Sequence, residues 1–424
     1  MTSTTADVII IGGGPVGAAA LWALKRFAPD TRVILLEKQQ QLGSGSSMAS
    51  LEAYRSAWPI RCISKQMDRS LHVFHNADDY LGEGASQSLA LKQNGYLFCA
   101  FKEKQAEGMK ADVNMLHQHG LSHIEFLESD ELRKRFPWLD HAVIAGKFDP
   151  HAGWLDSNAL VHRFAHSATT DEIRLGVENV NILVENNTII GVETAGETVH
   201  SPNVLIACGS AARAVGRTAG IELPIIMIPR QSFTTGWRHE EFPANAPFII
   251  GSAPHPHVRP EASSGAIFGY EYDWNTKYLE HEGKAKGYLI DPIEPKSRLR
   301  DPRFPSIVLH LFARQFGHQD GEGFASPRYL TNLHHNVGYY VHRDHTTAHT
   351  ADGTHYLSER AIIDKHPEIN GLFVSIAHVG HGIMTSPSAG EHAASLILGK
   401  DLPDPSFSDF SFDTTWVEHD AAVL

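Results

Sequence analysis

Asp7-Val-Ile-Ile-Ile-Gly12-Gly13-Gly14-Pro15-Val16-Gly17-Ala-Ala-Ala stands near the start of the chain, and Val33-Ile-Leu-Leu-Glu37-Lys38 follows it. A β-branched run, a G-x-G-x-x-G turn, an Ala-rich helix and a second apolar strand ending in an acid are the order that a dinucleotide-binding βαβ unit requires. Gly12 lets the strand turn tightly, Gly14 lets backbone approach a pyrophosphate, and Gly17 lets the helix pack closely on the sheet. The free N–H groups and positive end of that helix, with Pro15 and Val16 in its first turn, would face the phosphates. Glu37 falls where a carboxylate accepts hydrogen bonds from ribose hydroxyls.

The bulk composition narrows the field. The 424 residues exceed what one hydrophobic core usually serves, and 42% hydrophobic with 20% charged residues is an ordinary globular balance. The formal charge of −13 argues against nucleic acid and anionic membranes as partners, because both need cationic surface. Cys62, Cys99 and Cys208 are too scattered for a disulfide framework or a cysteine-based metal site. Residues 1–7 carry no basic stretch and no cleavage signal, so we expect no targeting segment and a cytoplasmic protein. Val8 to Leu24 is apolar, but three consecutive glycines and Pro15 suit a phosphate loop better than a membrane span.

Beyond Lys38, the small-residue loop Gly43 to Ser47 precedes a stretch from Met48 to His75 with helical spacing, with Arg55 exposed near its start. Gly95 to Ala100 reads as a strand, 103–119 as an amphipathic helix, and Ser129–Phe136 as a short one. Ile173 to Val177, Val180 to Val184 and Thr188 to Glu193 read as a β-meander leading into the apolar strand Val204 to Gly209. Strand-like runs recur at Ile225–Ile228, Phe248–Ile250, Ala266–Tyr270 and Ile307–Phe312. The long charged loop 274–303 suits a lid or an oligomer contact. A final helix is expected over Ser388 to Leu398, stopped by Gly399.

Gly371-Leu-Phe-Val-Ser-Ile-Ala-His378-Val-Gly380-His381-Gly382-Ile383-Met384 is the third glycine-bearing element. With Gly12–Gly17, Glu37-Lys38, Ser46-Ser47 and Val204–Gly209, it resembles the D-amino-acid-oxidase superfamily of FAD enzymes. Within that group the chain is most similar to the sarcosine oxidase and dimethylglycine dehydrogenase branch. The phrases Asn94-Gly-Tyr-Leu-Phe, Arg135-Phe-Pro-Trp-Leu and Arg259-Pro-Glu261 carry the same likeness, which covers roughly 6–275 and 336–400.

The resemblance implies an α/β fold in two parts. A Rossmann-like FAD-binding domain would be built from discontinuous segments, 1–85, 155–215 and 355–424. An antiparallel-sheet substrate or cap domain, α+β in class, would take 86–154 and 216–354. FAD would lie with its adenosine at Glu37 and Val180, its pyrophosphate at Gly12–Gly17, and its ring under the Gly380–Met384 loop. Ser46, Ser47, Lys38 and Gly209 would line the rest. The monomeric sarcosine oxidases tether FAD through a cysteine on the strand matching Val337–Tyr340, where none stands here, so the cofactor is expected to be noncovalent. They also keep lysines where this chain carries Ile267 and Met384, which leaves oxygen or another electron acceptor open.

The chemistry implied is hydride transfer from a carbon next to nitrogen. Arg55, at a position the family uses near the flavin, is the first candidate for binding a substrate carboxylate. Arg259 and Arg343 are weaker candidates, and Arg55 packing on FAD phosphates or the surface is the plain alternative. Tyr270 and Tyr340 are candidates for the walls of the site, and His381 for touching flavin or orienting substrate. Most of the 27 histidines read as ordinary loop and core residues. His342, His345 and His349 have metal-like spacing, yet no H-E-x-x-H accompanies them and no metal is expected. The function expected is oxidation of a small amine or of an N-alkyl or α-amino acid, in a chain that leaves oligomerisation open. An FAD-dependent 2-hydroxy-acid oxidoreductase and a non-catalytic flavin-binding assembly factor are the alternatives.

Overall fold

The computed structural model of the chain describes residues 2–166, 172–270, 288–344 and 358–414. Two sheets dominate. The first is six-stranded and runs, edge to edge, Ile362–Lys365, Leu372–Ile376, Val204–Ile206, Val8–Ile11, Val33–Leu36, Ile173–Arg174. All its pairings are parallel except that of the Ile362–Lys365 edge. Its central strands are buried along their whole length, which is why they read as continuous Val/Ile/Leu runs rather than alternating patterns.

The helix Pro15–Phe27 lies against this sheet and is buried from Pro15 to Leu24. Its small residues serve a second contact: a Cβ at Gly390, in the helix Ser386–Ile397, would sit 2.4 Å from the Ala19 carbonyl carbon. Glycine is needed at Gly12 for two reasons, since its φ is +116° and a Cβ would sit 2.5 Å from the Ala207 carbonyl oxygen.

The second sheet has eight strands, ordered His334–Arg343, Ile225–Thr235, Gly265–Tyr270, His257–Glu261, Phe248–Ile250, Tyr96–Ala100, Ala145–Asp149, Glu125–Glu128. It is antiparallel except where Phe248–Ile250 runs alongside Tyr96–Ala100. One face carries an aromatic core that includes Phe233, Phe268, Phe304, Phe312 and Phe324. A smaller four-stranded sheet pairs Thr2–Thr5, Glu197–His200, Thr188–Thr194 and Val180–Glu185.

Four sequence expectations are corrected. Ile307–Phe312 is not a strand but part of the helix Phe304–Phe316. Its Phe304, Val308, Phe312 and Phe316 repeat at helical spacing and bury on the large sheet. Ile173–Arg174 joins the parallel sheet instead of the meander, whose third strand is Glu197–His200. Within 48–75 the helix begins only at Arg61, after Pro59, so Arg55 precedes it in an extended segment. That arginine is also buried, at 6% exposure, rather than exposed. Of the loop 274–303, residues 274–287 lie outside the described residues, as do His345 and His349. The part from Tyr288 on packs through Leu289, which pairs with Met227. Among the described residues, no helix is long and apolar enough to cross a membrane, and no group of side chains could hold a metal ion.

Candidate active site

Two cavities meet at the end of the parallel sheet. The larger, of about 810 Å³, runs along the carboxyl ends of its strands, where ligands of such sheets bind. Gly12, Gly14, Pro15 and Val16 line it, as do Glu37, Lys38 and Val180. Ser46, Ser47 and Gly209 contribute further, and Gly380, Gly382 and Ile383 complete it. A Cβ at Gly14 would meet no atom within 4 Å, so that backbone faces open cleft rather than protein. Glu37 braces the turn as well: its Oε2 accepts from Gly13 N–H at 2.7 Å and its Oε1 from Gln39 N–H at 2.8 Å. Gly17 does not line the cleft: it faces the protein, where a Cβ would fall 1.9 Å from the Gly12 carbonyl oxygen, the close packing its place in the motif calls for. Met384, expected at the cofactor, lines the second cavity instead.

The cleft is faced by the Gly14 backbone and the start of the helix Pro15–Phe27, and is near the upper end of ligand-site volumes, about 300–1,000 Å³. Those features fit a dinucleotide, as the sequence motif required. Residues 7–396 match the DAO family, described as FAD dependent oxidoreductase. The chain belongs to that family. FAD is its cofactor.

Relatives agree with this assignment. The chain is 24% identical to sarcosine oxidase subunit beta of Rhizobium meliloti, over 78% of this chain and 79% of that one. It is 23% identical to FAD-dependent oxidoreductase domain-containing protein 1 of Xenopus laevis, over 97% and 83% respectively. Glycine oxidase from Bacillus cereus superposes with a TM-score of 0.73 at 20% identity, covering 97% of this chain and all of that one.

The smaller cavity, of about 340 Å³, shares Ser46, Tyr340, Gly380 and Ile383 with the larger cleft, so the two form one continuous site. Arg55, Tyr270, Tyr340 and His381 all line it. The guanidinium of Arg55 lies 3.8 Å over the Trp58 ring, and Trp58 Nε1 donates to the Arg55 carbonyl at 3.1 Å. The His381 ring also sits 4.3 Å from Trp58, edge-on. His381 Nε2 reaches Glu359 Oε2 at 2.9 Å. Burial pushes the Glu359 carboxyl up, but the hydrogen bond and charge of His381, with His342 and Arg55 beyond, hold it below the usual range.

The approach to the junction is strained. Ala377 and Val379 are held at φ +60° and +49°, where a branched residue such as valine is an outlier. Val379 N–H is pinned to the Val341 carbonyl at 2.9 Å. Gly380 then passes so close to Tyr340 that a Cβ would lie 2.7 Å from the ring. His378, in the same turn, is driven down to about 3 by burial and by the charge of His381.

Several expected residues stand elsewhere. Arg259 does not line the chamber; its Nε donates to the Leu51 carbonyl at 2.6 Å, and its two terminal nitrogens reach Pro260, Glu261 and Glu52. Arg343 donates to the carbonyls of Arg360 and Ala361. Ile267, which stands where the family keeps a lysine, lines neither cavity. Cys208, largely buried, lines the larger cleft beside Gly12, and its burial pushes the thiol up to about 12.

Sequence reasoning missed much of the chamber. Arg230, in the middle of the apolar strand Ile225–Thr235, lines it and lies 5.4 Å over Tyr340. A charge inside an apolar strand was the signal available. Tyr96 stacks on Phe248 at 4.3 Å and both face the chamber, while Glu359 sits in no motif at all.

Proposed function

We propose that this protein oxidises a C–N bond of a small amine or of an N-alkyl or α-amino acid. The supporting observation is a chamber carrying both a guanidinium, Arg55, and a carboxylate–imidazole pair, Glu359–His381, that opens onto the FAD cleft at Gly380 and Ile383. That pairing of charges suits a molecule with an anionic and an amino end. The relatives named sarcosine oxidase and glycine oxidase take such substrates by name.

FAD, when bound, supplies the acceptor for the hydride that leaves the substrate carbon. The residues of the chain do the rest. Arg55 holds the substrate carboxylate, with Trp58 limiting the freedom of its side chain. The carboxylate of Glu359 accepts a hydrogen bond from His381 Nε2, which fixes the imidazole in the wall. With its Nε2–H held by Glu359, His381 takes the ammonium proton at Nδ1, because a carbon next to a neutral amine gives up hydride and one next to an ammonium does not. Tyr270, Tyr340 and the Tyr96–Phe248 stack limit water around the reacting carbon. The substrate leaves as an imine, which water converts to a carbonyl compound and a free amine. The FAD has no cysteine tether, since Val337–Tyr340 offers no cysteine, Cys62 and Cys99 are buried, and Cys208 sits by Gly12.

The test is anaerobic addition of amines, N-methyl amino acids, α-amino acids and 2-hydroxy acids, with the flavin absorbance followed. Bleaching by a nitrogen compound is expected. Bleaching by 2-hydroxy acids alone, or by nothing, contradicts the reading.

A further inference from the structure

Arg55 lies in an extended segment between the short strand Ala53–Tyr54 and the helix that starts at Arg61, so no regular element fixes its direction. Asp149 does so from behind. It is the last residue of the strand Ala145–Asp149 and is fully buried. Its Oδ2 accepts the N–H groups of Ser56 at 2.7 Å and Ala57 at 3.0 Å. Its Oδ1 accepts the Ser56 hydroxyl at 2.9 Å and the His151 N–H at 3.0 Å. Three of these four bonds come from the two residues that follow Arg55. Trp58, next in line, closes the turn by bonding back to the Arg55 carbonyl while its ring supports the guanidinium.

We infer that Asp149 is a positioning residue for substrate binding: by clamping the backbone of residues 56 and 57 it aims Arg55 into the chamber. The inference rests on the reading of Arg55 as the carboxylate anchor. The nearby histidines do not suggest a separate hydrolytic site. His123 Nε2 contacts the Ser56 hydroxyl at 2.6 Å and stacks on His151 at 4.1 Å. Asp149, however, bonds Ser56 directly and lies 3.9 Å from His123, whereas a nucleophile triad needs the histidine between the acid and the serine. Here the serine is a strut. Its hydroxyl carries one clamp bond, while both backbone N–H groups go to the carboxylate without it.

The experiment uses the FAD-loaded protein and acetate as a carboxylate probe, read by the perturbation of the flavin spectrum. Wild type is expected to bind acetate and Arg55→Met to lose that binding. A wild type that does not respond breaks the reading of Arg55, and the positioning role with it. Given that response, Asp149→Ala is expected to raise the acetate Kd roughly 10- to 100-fold at unchanged flavin content, the scale of a small misplacement of a binding group. Asp149→Asn keeps one oxygen for the two backbone N–H groups and is expected to stay within about threefold of wild type, and Ser56→Ala within about twofold. An unchanged Kd in Asp149→Ala overturns the inference, and so does an Asn variant as weak as the Ala variant. Should Asp149→Ala not accumulate, Asp149→Glu, whose carboxylate is displaced by one methylene, is expected to raise the Kd about tenfold, and an unchanged Kd there is equally fatal.

Discussion

The FAD cleft is made by backbone, whereas the chamber beside it is made by side chains. Gly12, Gly14 and Gly380 work by what they lack, letting main chain approach a ligand, a strand or an aromatic ring. Arg55, Arg230, Glu359 and His381 work by what they carry, and they come from four separate segments. A backbone site tolerates no added atoms; a side-chain site keeps its shape while its affinities change. The two regions should therefore fail in different ways when mutated.

The largest effect should come from the cleft. Gly14→Val fills the open space where the pyrophosphate belongs and is expected to abolish FAD binding. Flavin absorbance of the purified variant, with far-ultraviolet circular dichroism to verify folding, checks this, and normal flavin content would refute the phosphate-loop assignment. The wild-type flavin should also leave with acid precipitation of the chain; colour retained on the denatured polypeptide would contradict noncovalent binding.

The chamber should respond by degree. Arg55→Met removes a charge-assisted pair worth about 1.5–3 kcal/mol, so the substrate Kd should rise roughly 10- to 150-fold while FAD stays bound. If the variant instead loses its flavin, Arg55 belongs to the cleft and the division between the regions fails.

The smallest effect concerns the helix Ser386–Ile397, which supports the cleft through Gly390. Its His392 is buried against Phe407 and Phe410, at ring distances of 5.3 and 5.9 Å, and burial lowers its pKa from 6.5 to about 4. The unfolded chain therefore binds a proton that the folded chain refuses. Stability from this group is complete above about pH 6.5 and is lost as the pH falls towards 4, by on the order of 2–3 kcal/mol. Urea unfolding of wild type and His392→Leu between pH 4 and 7 checks this: the variant should show the shallower pH dependence, and parallel curves would contradict it.

The same contrast explains what could be read from the sequence. Gly12, Gly14 and Glu37 were legible because backbone geometry admits few residue types, so type and spacing carry the meaning. Arg55 was found through likeness, but its burial on Trp58 was not, because the helical spacing of 60–74 extended the apparent helix too far toward it. Glu359 and Asp149 were invisible, since their partners His381 and Ser56 lie on other segments. The apolar run 307–312 is short enough to fit strand or helix, and only its contacts with the large sheet decide for helix. Arg259 was misjudged because a sequence names a charge but not the Leu51 carbonyl that occupies it.

The central claim is that the chamber oxidises a C–N bond beside FAD. The most direct test is a single anaerobic turnover with the best reductant found in the substrate screen, followed by quantification of the products. We predict one equivalent each of free amine and carbonyl compound for every equivalent of flavin bleached. Flavin bleached with a 2-keto acid formed and no nitrogen compound released would contradict the account.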